Sequence, residues 1–323
     1  MPYPRKLKIS ESVVFKEHRS GWAYAVGCLK PLISDEAPVL FDTFIEATFG
    51  WDLRKSAESG RIPYREPWIG VIHNPPGIPE WHESWSAPQR VFQLPEWRES
   101  LPACRGFVVL SRWMADWARS RVSVPVAALT HPTENAPEIF SMERFEANPD
   151  ARVIQVGWWL RVLHSIHSLP LKKRRKARLM PVGPDREKQF YQRFQWEKDA
   201  FRLPDYPPGD VEIIPYLDHA GYDRLLSENI VFLHLYDTIA NNVVVECIVR
   251  NTPVLVNRLP SAVEYLGERY PFYFETLAEA AAKAEDDGLV REAHEYLKAL
   301  PKERFTGDFF LKDLAESDFY RGL

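Results

Sequence analysis

Long apolar runs, paired cysteines and a signal core are all missing from this 323-residue sequence. No apolar stretch approaches the roughly 20 residues that a transmembrane helix requires. The basic amino end leads into no apolar core, so the sequence does not predict export. The three cysteines are widely spaced and odd in number, which argues against a disulfide framework and indicates reduced thiols. We therefore expect a cytoplasmic protein that is either free or peripheral at the membrane.

Several ligand signatures are missing as well. The sequence has no Gly-x-Gly-x-x-Gly, which excludes the dinucleotide-binding fingerprint. Its cysteines show no spacing typical of zinc ligands, so no metal site is predicted. The net charge of −4 argues against a protein dedicated to nucleic-acid binding. No internal repeat occurs at the roughly 20- to 50-residue periods of solenoids and propellers.

What is present is an alternation of strands and helices over a length that suggests two domains. Short β-branched or aromatic runs, each followed by a polar loop, are typical of buried parallel strands. The predicted strands cover 12–16, 39–44, 68–73, 106–110, 124–129, 152–156, 179–182, 211–214, 230–235 and 254–256. The predicted helices cover 22–30, 113–118, 189–202, 243–248, 277–287, 289–300 and 309–319.

The polar, proline-bearing stretch 133–149 predicts a linker between the two domains. We expect an amino-terminal domain over 1–135, a carboxyl-terminal domain over 136–305, and a last helix over 306–323 that returns toward the first domain. The predicted architecture is α/β, with two doubly wound, Rossmann-like domains that face a cleft.

The stretch 230–267 indicates a strand, a polar loop, a short helix and a second strand. Four polar residues follow the first strand: Asp237, Thr238, Asn241 and Asn242. Such a loop lies at the carboxyl edge of a parallel sheet, where the unpaired amides at the helix start favour an anionic ligand. Glu246, one turn into the helix, is placed to accept hydrogen bonds from ribose hydroxyls. The alternative is that the asparagines only cap the helix and that Glu246 is solvated.

Two strand ends in the first half carry further candidate residues. Gly21 closes the turn after the strand 12–16, where a glycine lets the backbone approach a ligand closely. His18, in the same turn, has either a ligand contact or a structural role. His73 ends the strand 68–73 and precedes a rigid Asn-Pro-Pro-Gly loop, so we expect it beside the ligand crevice.

The exit loop of the strand 152–156 contains Gly157 and Arg161. An arginine at this position can make paired hydrogen bonds to a diphosphate. The densest cluster of charge in the chain follows at 172–178. Such runs are usually solvated faces, and the alternative is that Lys172 or Lys173 reaches a phosphate.

These residues resemble the GT-B glycosyltransferases, and most of all the retaining, family 4-like enzymes that use nucleotide-diphosphate sugars. The likeness covers most of the chain and is best in its second half. The residues that carry it there are 153–157, Arg161, 211–215 and the stretch that ends at 264–267. In the first half, 71–73 and 108–111 resemble the strand ends of the family.

The family commonly has two glutamates eight positions apart, the first near the donor sugar and the second on the ribose. Glu246 matches the second, and Thr238 occupies the position of the first, with Asp237 beside it. The resemblance implies that the second domain binds a UDP- or GDP-sugar and that the first binds a hydroxyl acceptor, to which a hexose is transferred. No cofactor besides the donor is implied.

The resemblance also implies roles for individual residues. Arg161, with Lys172 or Lys173, would neutralise the departing diphosphate without a metal ion, and the metal-binding Asp-x-Asp motif of the other major fold does not occur. His73 would orient the donor sugar or the acceptor. If the reaction inverts configuration, a general base is required, and His73, His18 and Asp237 are the candidates.

Two other functions stay open at this point. Thr238 in place of a glutamate is compatible with a non-catalytic module that binds a nucleotide or a glycan. The basic run 172–178 is compatible with a glycosyltransferase that acts on nucleic acid. The acceptor is therefore left open between a glycan, a small molecule and a nucleic acid.

Overall fold

The computed structural model describes residues 3–9 and 21–323, so the predicted strand 12–16 and His18 lie outside the described residues. The chain divides into two compact units, each with its own parallel sheet. The first unit comprises Met1–Glu134, Asp237–Asn242 and Glu303–Leu323. The second comprises Asn135–Tyr236 and Val243–Lys302.

Within the described residues, the sheet of the first unit has five parallel strands in the order β1-β2-β3-β4-β5. Its central strands are almost wholly buried, as the apolar runs predict. The strands are β1 (Leu7–Ile9), β2 (Val39–Asp42), β3 (Trp68–Ile72), β4 (Cys104–Val109) and β5 (Val126–Ala128). The helices among them are α1 (Trp22–Cys28), α2 (Leu53–Glu58), α3 (Pro88–Val91), α4 (Pro95–Ser100) and α5 (Arg112–Arg119), together with a π-helical turn at Ala47–Trp51.

The described part of the second unit has six parallel strands in the order β11-β10-β9-β6-β7-β8. This is the Rossmann order, in which the winding reverses between β6 and β9. The strands are β6 (Arg152–Gln155), β7 (Arg175–Leu179), β8 (Glu212–Ile214), β9 (Ile230–Leu233), β10 (Val254–Asn257) and β11 (Tyr273–Phe274). The helices are α6 (Met142–Ala147), α7 (Gly183–Phe201), α8 (His219–Glu228), α9 (Asn242–Arg250), α10 (Pro260–Leu266), α11 (Leu277–Ala284) and α12 (Asp287–Ala299).

The last two helices, α13 (Gly307–Ala315) and α14 (Asp318–Arg321), belong to the first unit. The single helix predicted over 309–319 is therefore divided. The division falls at Ser317, whose hydroxyl accepts the Tyr320 N–H at 3.1 Å and so begins a new helix. Phe310 and Leu314 of α13 are buried in the same core cluster as Leu7 of β1.

The prediction of two Rossmann-like α/β domains is confirmed, and one predicted strand is wrong. The strand expected at 179–182 lies instead at Arg175–Leu179, inside the basic run. Acidic or amide side chains partner the basic residues of this strand. Lys176 contacts Asp210 at 2.7 Å, and Arg178, which is 3% exposed, donates to Gln155 at 3.0 Å. The second half of the run therefore belongs to an interior strand that pairs with β6 and β8, while Lys172, Lys173 and Arg175 are exposed.

The other predicted strands within the described ranges are present, with ends that differ by at most two residues. The pattern missed the short strands β1 and β11 and the helices α2, α3, α4, α6, α8 and α10. No helix in the described part of the chain combines the length and the apolar character needed to cross a bilayer.

Candidate functional site

The strand order of the second unit reverses at one point of its sheet, and this point is the candidate site. In open α/β sheets, ligands bind beyond the carboxyl ends of the strands at this point. Here it lies between the neighbouring strands β6 and β9. The loops that follow the two strands are bonded to each other: the Val162 N–H donates to the His234 carbonyl at 2.8 Å, and the Tyr236 N–H donates to the Leu160 carbonyl at 3.0 Å. The two loops therefore form one surface at the carboxyl edge.

Gly157 and Arg161 shape the loop after β6. Gly157 has a φ of +78°, and a Cβ atom at this position would lie 2.8 Å from Nη2 of Arg161. The absence of a side chain thus lets the guanidinium lie against the turn. Arg161 donates from Nη1 to the Trp159 carbonyl at 2.7 Å and from Nε to the Val156 carbonyl at 3.3 Å. These bonds fix the direction of the guanidinium.

Glu246 lies in α9, which begins directly after the loop that follows β9, and it is 1% exposed. Glu246 is therefore buried, and the alternative interpretation of a solvated side chain is wrong. The Tyr222 hydroxyl donates to Oε2 of Glu246 at 2.5 Å. Burial lowers the pKa of Arg161 to about 10, while the nearby Tyr222 and Glu246 act in the opposite direction. Arg161 and Glu246 are thus close enough to interact electrostatically within the second unit.

The loop Asp237–Asn242 belongs to the first unit. The Asp237 carboxylate accepts the Gly77 N–H on Oδ2 and the Thr238 N–H on Oδ1, each at 2.8 Å. Burial raises the pKa of this carboxyl. Asn241 and Thr238 are buried, and Asn242 is the first residue of α9. The carboxylate that the sequence presents as a candidate base therefore also holds the Pro-Pro-Gly loop after β3.

Lys172 is not brought to the carboxyl edge of the sheet. It precedes β7, which runs parallel to β6, so it lies toward the amino ends of these strands. Its side chain is exposed, and the backbone N–H groups of Lys172 and Lys173 donate to the Glu285 carboxylate. In the described residues, no group of three or more His, Cys, Asp or Glu side chains is arranged to hold a metal ion.

His73 directly follows β3 in the first unit. Its Nε2 lies 3.0 Å from the Thr43 carbonyl, which can only accept, so Nε2 carries the proton and Nδ1 is the acceptor. The Phe44 ring stacks on the imidazole with centroids 4.2 Å apart, and the Trp22 ring meets it edge-on at 4.4 Å. Burial between these rings lowers the pKa of His73 to about 3. Gly21 precedes Trp22 at the start of α1, where its carbonyl accepts the Tyr24 N–H at 3.0 Å.

Glu46 is a functional candidate that sequence reasoning missed. Its Oε1 accepts the backbone N–H groups of His73 at 2.8 Å and Asn74 at 2.7 Å, and its Oε2 has no hydrogen-bond partner among the described residues. The side chain is 0% exposed, and burial raises its pKa to about 8. A carboxylate in the otherwise apolar stretch that follows β2 is the signal that would have indicated it.

Solved structures of glycosyltransferases are similar to this chain. HepE from Anabaena, solved in complex with UDP-glucose, is 10% identical with a TM-score of 0.61, over 96% of this chain and 98% of that chain. Sucrose-phosphate synthase from Thermosynechococcus elongatus is 14% identical with a TM-score of 0.56, over 91% of this chain and 73% of that chain. A UDP-forming α,α-trehalose-phosphate synthase from Burkholderia vietnamiensis is 11% identical with a TM-score of 0.54, over 85% of this chain and 69% of that chain.

No protein-family model and no curated protein sequence matches the chain. The likeness to the solved structures, at these identities, is a likeness of fold. The chain has the GT-B fold.

Proposed function

We propose that the protein is a glycosyltransferase that moves a hexose from a UDP- or GDP-sugar to a hydroxyl acceptor. The observation that carries the proposal is the presence of Arg161 and Glu246 at the switch point of the Rossmann-ordered sheet. UDP is the nucleotide to test first, because the HepE structure contains UDP-glucose and the trehalose-phosphate synthase is UDP-forming. The second unit would bind the donor, and the first would bind the acceptor.

The donor would be held by groups of complementary charge. The Arg161 guanidinium would pair with the diphosphate, to which the first amides of α9 also offer hydrogen bonds. A desolvated cation gains more from an anionic ligand than a solvated one does, and Arg161 is such a cation. Glu246 would accept hydrogen bonds from the ribose hydroxyls. Because Arg161 supplies positive charge beside the leaving diphosphate, we propose that transfer needs no metal ion.

Transfer breaks the bond between the anomeric carbon and the diphosphate oxygen, and negative charge grows on that oxygen. Arg161 would stabilise this charge by a preorganised electrostatic interaction. His73 would accept a hydrogen bond from a sugar hydroxyl through Nδ1 and so orient the sugar. Inversion requires an effective general base. Of the candidate bases in the described residues, His73 has a pKa of about 3 and is a weak base at neutral pH, and both oxygens of Asp237 already accept backbone N–H groups. We therefore propose that the reaction retains configuration.

Isothermal titration with UDP and GDP tests the donor site. We expect one of them to bind wild type and Arg161→Ala to bind it about 10- to 100-fold more weakly, which is the usual effect of losing a charge-assisted hydrogen bond. Arg291→Ala is the control, because Arg291 is an exposed arginine of the same unit, paired with Glu146. Folded wild-type protein that binds neither nucleotide would rule out the proposed donor site.

A non-catalytic nucleotide-binding module is the second candidate. The observation that favours it is that both oxygens of Asp237 accept backbone N–H groups, while Thr238 replaces the family glutamate. Slow release of UDP from UDP-sugars without an acceptor, unchanged by a chelator, would support the metal-independent enzyme. Binding without any turnover across an acceptor panel would support the module.

A further inference from the structure

Tyr222 of α8 contacts the proposed ribose-binding carboxylate directly. Its hydroxyl donates to Oε2 of Glu246 at 2.5 Å, and Glu246 is 1% exposed. Burial and the neighbouring Glu246 raise the pKa of Tyr222 well above its usual value of 10, so the hydroxyl keeps its proton and remains a donor. The bond therefore persists over the whole physiological pH range.

A buried ion pair fixes the helix that carries Tyr222. Asp223, the next residue of α8, accepts on Oδ1 from Nη2 of Arg250 at 2.6 Å and from Nε of Arg250 at 3.2 Å. The side chains of both partners are at most 1% exposed. Consecutive residues of α8 are thus bonded to Glu246 and Arg250, which lie four positions apart on one face of α9. The two bonds hold α8 and α9 in one register.

We propose that Tyr222 is a positioning residue that holds the Glu246 carboxylate in the orientation that recognises the donor ribose. The inference rests on the proposed function. A carboxylate has about four acceptor sites on its two oxygens, so it can accept from Tyr222 and from ribose hydroxyls together. Without the Tyr222 hydroxyl, the Glu246 side chain would lose conformational freedom when the nucleotide binds, and that loss weakens binding.

A purely structural Tyr222 would make a different prediction. If the bond to Glu246 only stabilised the fold, its removal would change the stability of the second unit and leave the choice between nucleotides unaltered. If Tyr222 positions Glu246, its removal should weaken only the binding of nucleotides that carry the ribose hydroxyls. The readout is therefore the ratio of the dissociation constants of 2′,3′-dideoxy-UDP and UDP, which differ only in these hydroxyls.

The matched control is Tyr270→Phe. The Tyr270 hydroxyl donates to the Val254 carbonyl and accepts the Val254 N–H, each at 2.9 Å, so the same unit contains a second buried tyrosine whose hydroxyl is bonded at the amino end of β10, away from the proposed site. We expect wild type and Tyr270→Phe to prefer UDP over the dideoxy nucleotide by the same factor. We expect Tyr222→Phe to lower this preference about five- to tenfold, with the dissociation constant of the dideoxy nucleotide changed less than about twofold.

The titrations separate the possible outcomes. A misfolded fraction lowers the stoichiometry for both nucleotides and leaves the ratio intact, so partial unfolding of Tyr222→Phe does not imitate the expected result. If wild type prefers UDP and Tyr222→Phe keeps the whole preference, the inference is wrong and the donor site stands. If wild type binds neither nucleotide, the donor site and the inference both fail.

Discussion

At the scale of single residues, Glu46 couples stability to pH because its carboxyl group is completely buried. Burial raises its pKa from the usual 4.5 to about 8. Between these two values the folded protein binds a proton that the unfolded chain releases. The stabilisation that this group contributes is therefore complete below pH 4.5 and lost as the pH rises to about 8. Glu197, with a pKa raised to about 7, acts in the same direction.

We expect the free energy of unfolding to fall between about pH 5 and pH 9 and to fall less steeply in Glu46→Gln. Each unit of pKa difference corresponds to about 1.4 kcal/mol. Over this range wild type should therefore lose several kcal/mol more unfolding free energy than Glu46→Gln. The glutamine oxygen can still accept the His73 and Asn74 N–H groups. Urea denaturation at a series of pH values measures the effect, with the exposed Glu58→Gln as the control. Parallel curves for wild type and Glu46→Gln would contradict this explanation.

The carboxyl ends of parallel strands lie at one edge of each sheet. Sequence patterns therefore predict His73 at this edge of the first sheet, and Arg161 and the helix that contains Glu246 at this edge of the second. The same patterns say nothing of Glu46 or Tyr222. Their roles depend on contacts with residues 27 and 24 positions away, and no local pattern encodes such a contact. The proposed roles of the strand-end residues stay predictions until binding is measured.

At the scale of elements, the turn after β6 combines an unusual backbone conformation with close packing. Gly157→Ala would place a Cβ atom at a φ of +78° and within 2.8 Å of Arg161. Gly209 has a φ of +80°, and a Cβ atom there would have no neighbouring atom within 4 Å, so Gly209→Ala is a control that adds the backbone strain alone. Comparison of the two variants separates the effect of backbone strain from the effect of displacing the Arg161 guanidinium.

We expect both glycine variants to lose about 1–2 kcal/mol of stability, the cost of a left-handed conformation for alanine. Only Gly157→Ala should also lose affinity for UDP, by at least about tenfold, because its methyl group displaces the guanidinium. Chemical denaturation measures the first quantity and isothermal titration the second. Equal UDP affinities in the two variants would show that the position of Arg161 does not matter for binding.

The shifted strand β7 shows why element boundaries were harder to predict than element types. A run of lysines and arginines has the pattern of a solvated surface, and apolar periodicity therefore placed the strand after it. In the structure each inward-facing basic side chain has its own partner, such as Gln155 for Arg178 and Asp210 for Lys176. These partners are distant in the sequence, so local hydrophobicity does not predict that the basic side chains will be buried or paired.

At the scale of the whole molecule, two sheets follow from the length of the chain and from its alternating strands and helices. The inclusion of Asp237–Asn242 in the first unit cannot be predicted from the length or the alternation. It depends on the bond from the Gly77 N–H to Asp237, which spans 160 positions, and on the burial of Ile239 in the core of the first unit. Only the folded chain brings these residues together.

The carboxyl-terminal segment gives a test of whether each unit has its own stability. Tyr320 of α14 is 1% exposed, and its hydroxyl accepts the Lys6 N–H at 3.2 Å and donates to the Pro4 carbonyl at 2.5 Å. Tyr320→Ala removes this aromatic ring from the core of the first unit and breaks both bonds. We expect a loss of about 3–5 kcal/mol, the usual cost of deleting a large buried aromatic side chain.

Hydrogen exchange followed by mass spectrometry should locate this loss. Because the described strands of each unit pair only within their own sheet, we expect Tyr320→Ala to lower protection in peptides from β2 to β5 and not in those from β6 to β10. Tyr191→Ala, at a half-exposed tyrosine of α7, is the control for removing an aromatic ring and should leave the first unit unchanged. Equal loss of protection in both sheets would mean that the units unfold together, because a local defect lowers protection elsewhere only through a shared cooperative transition.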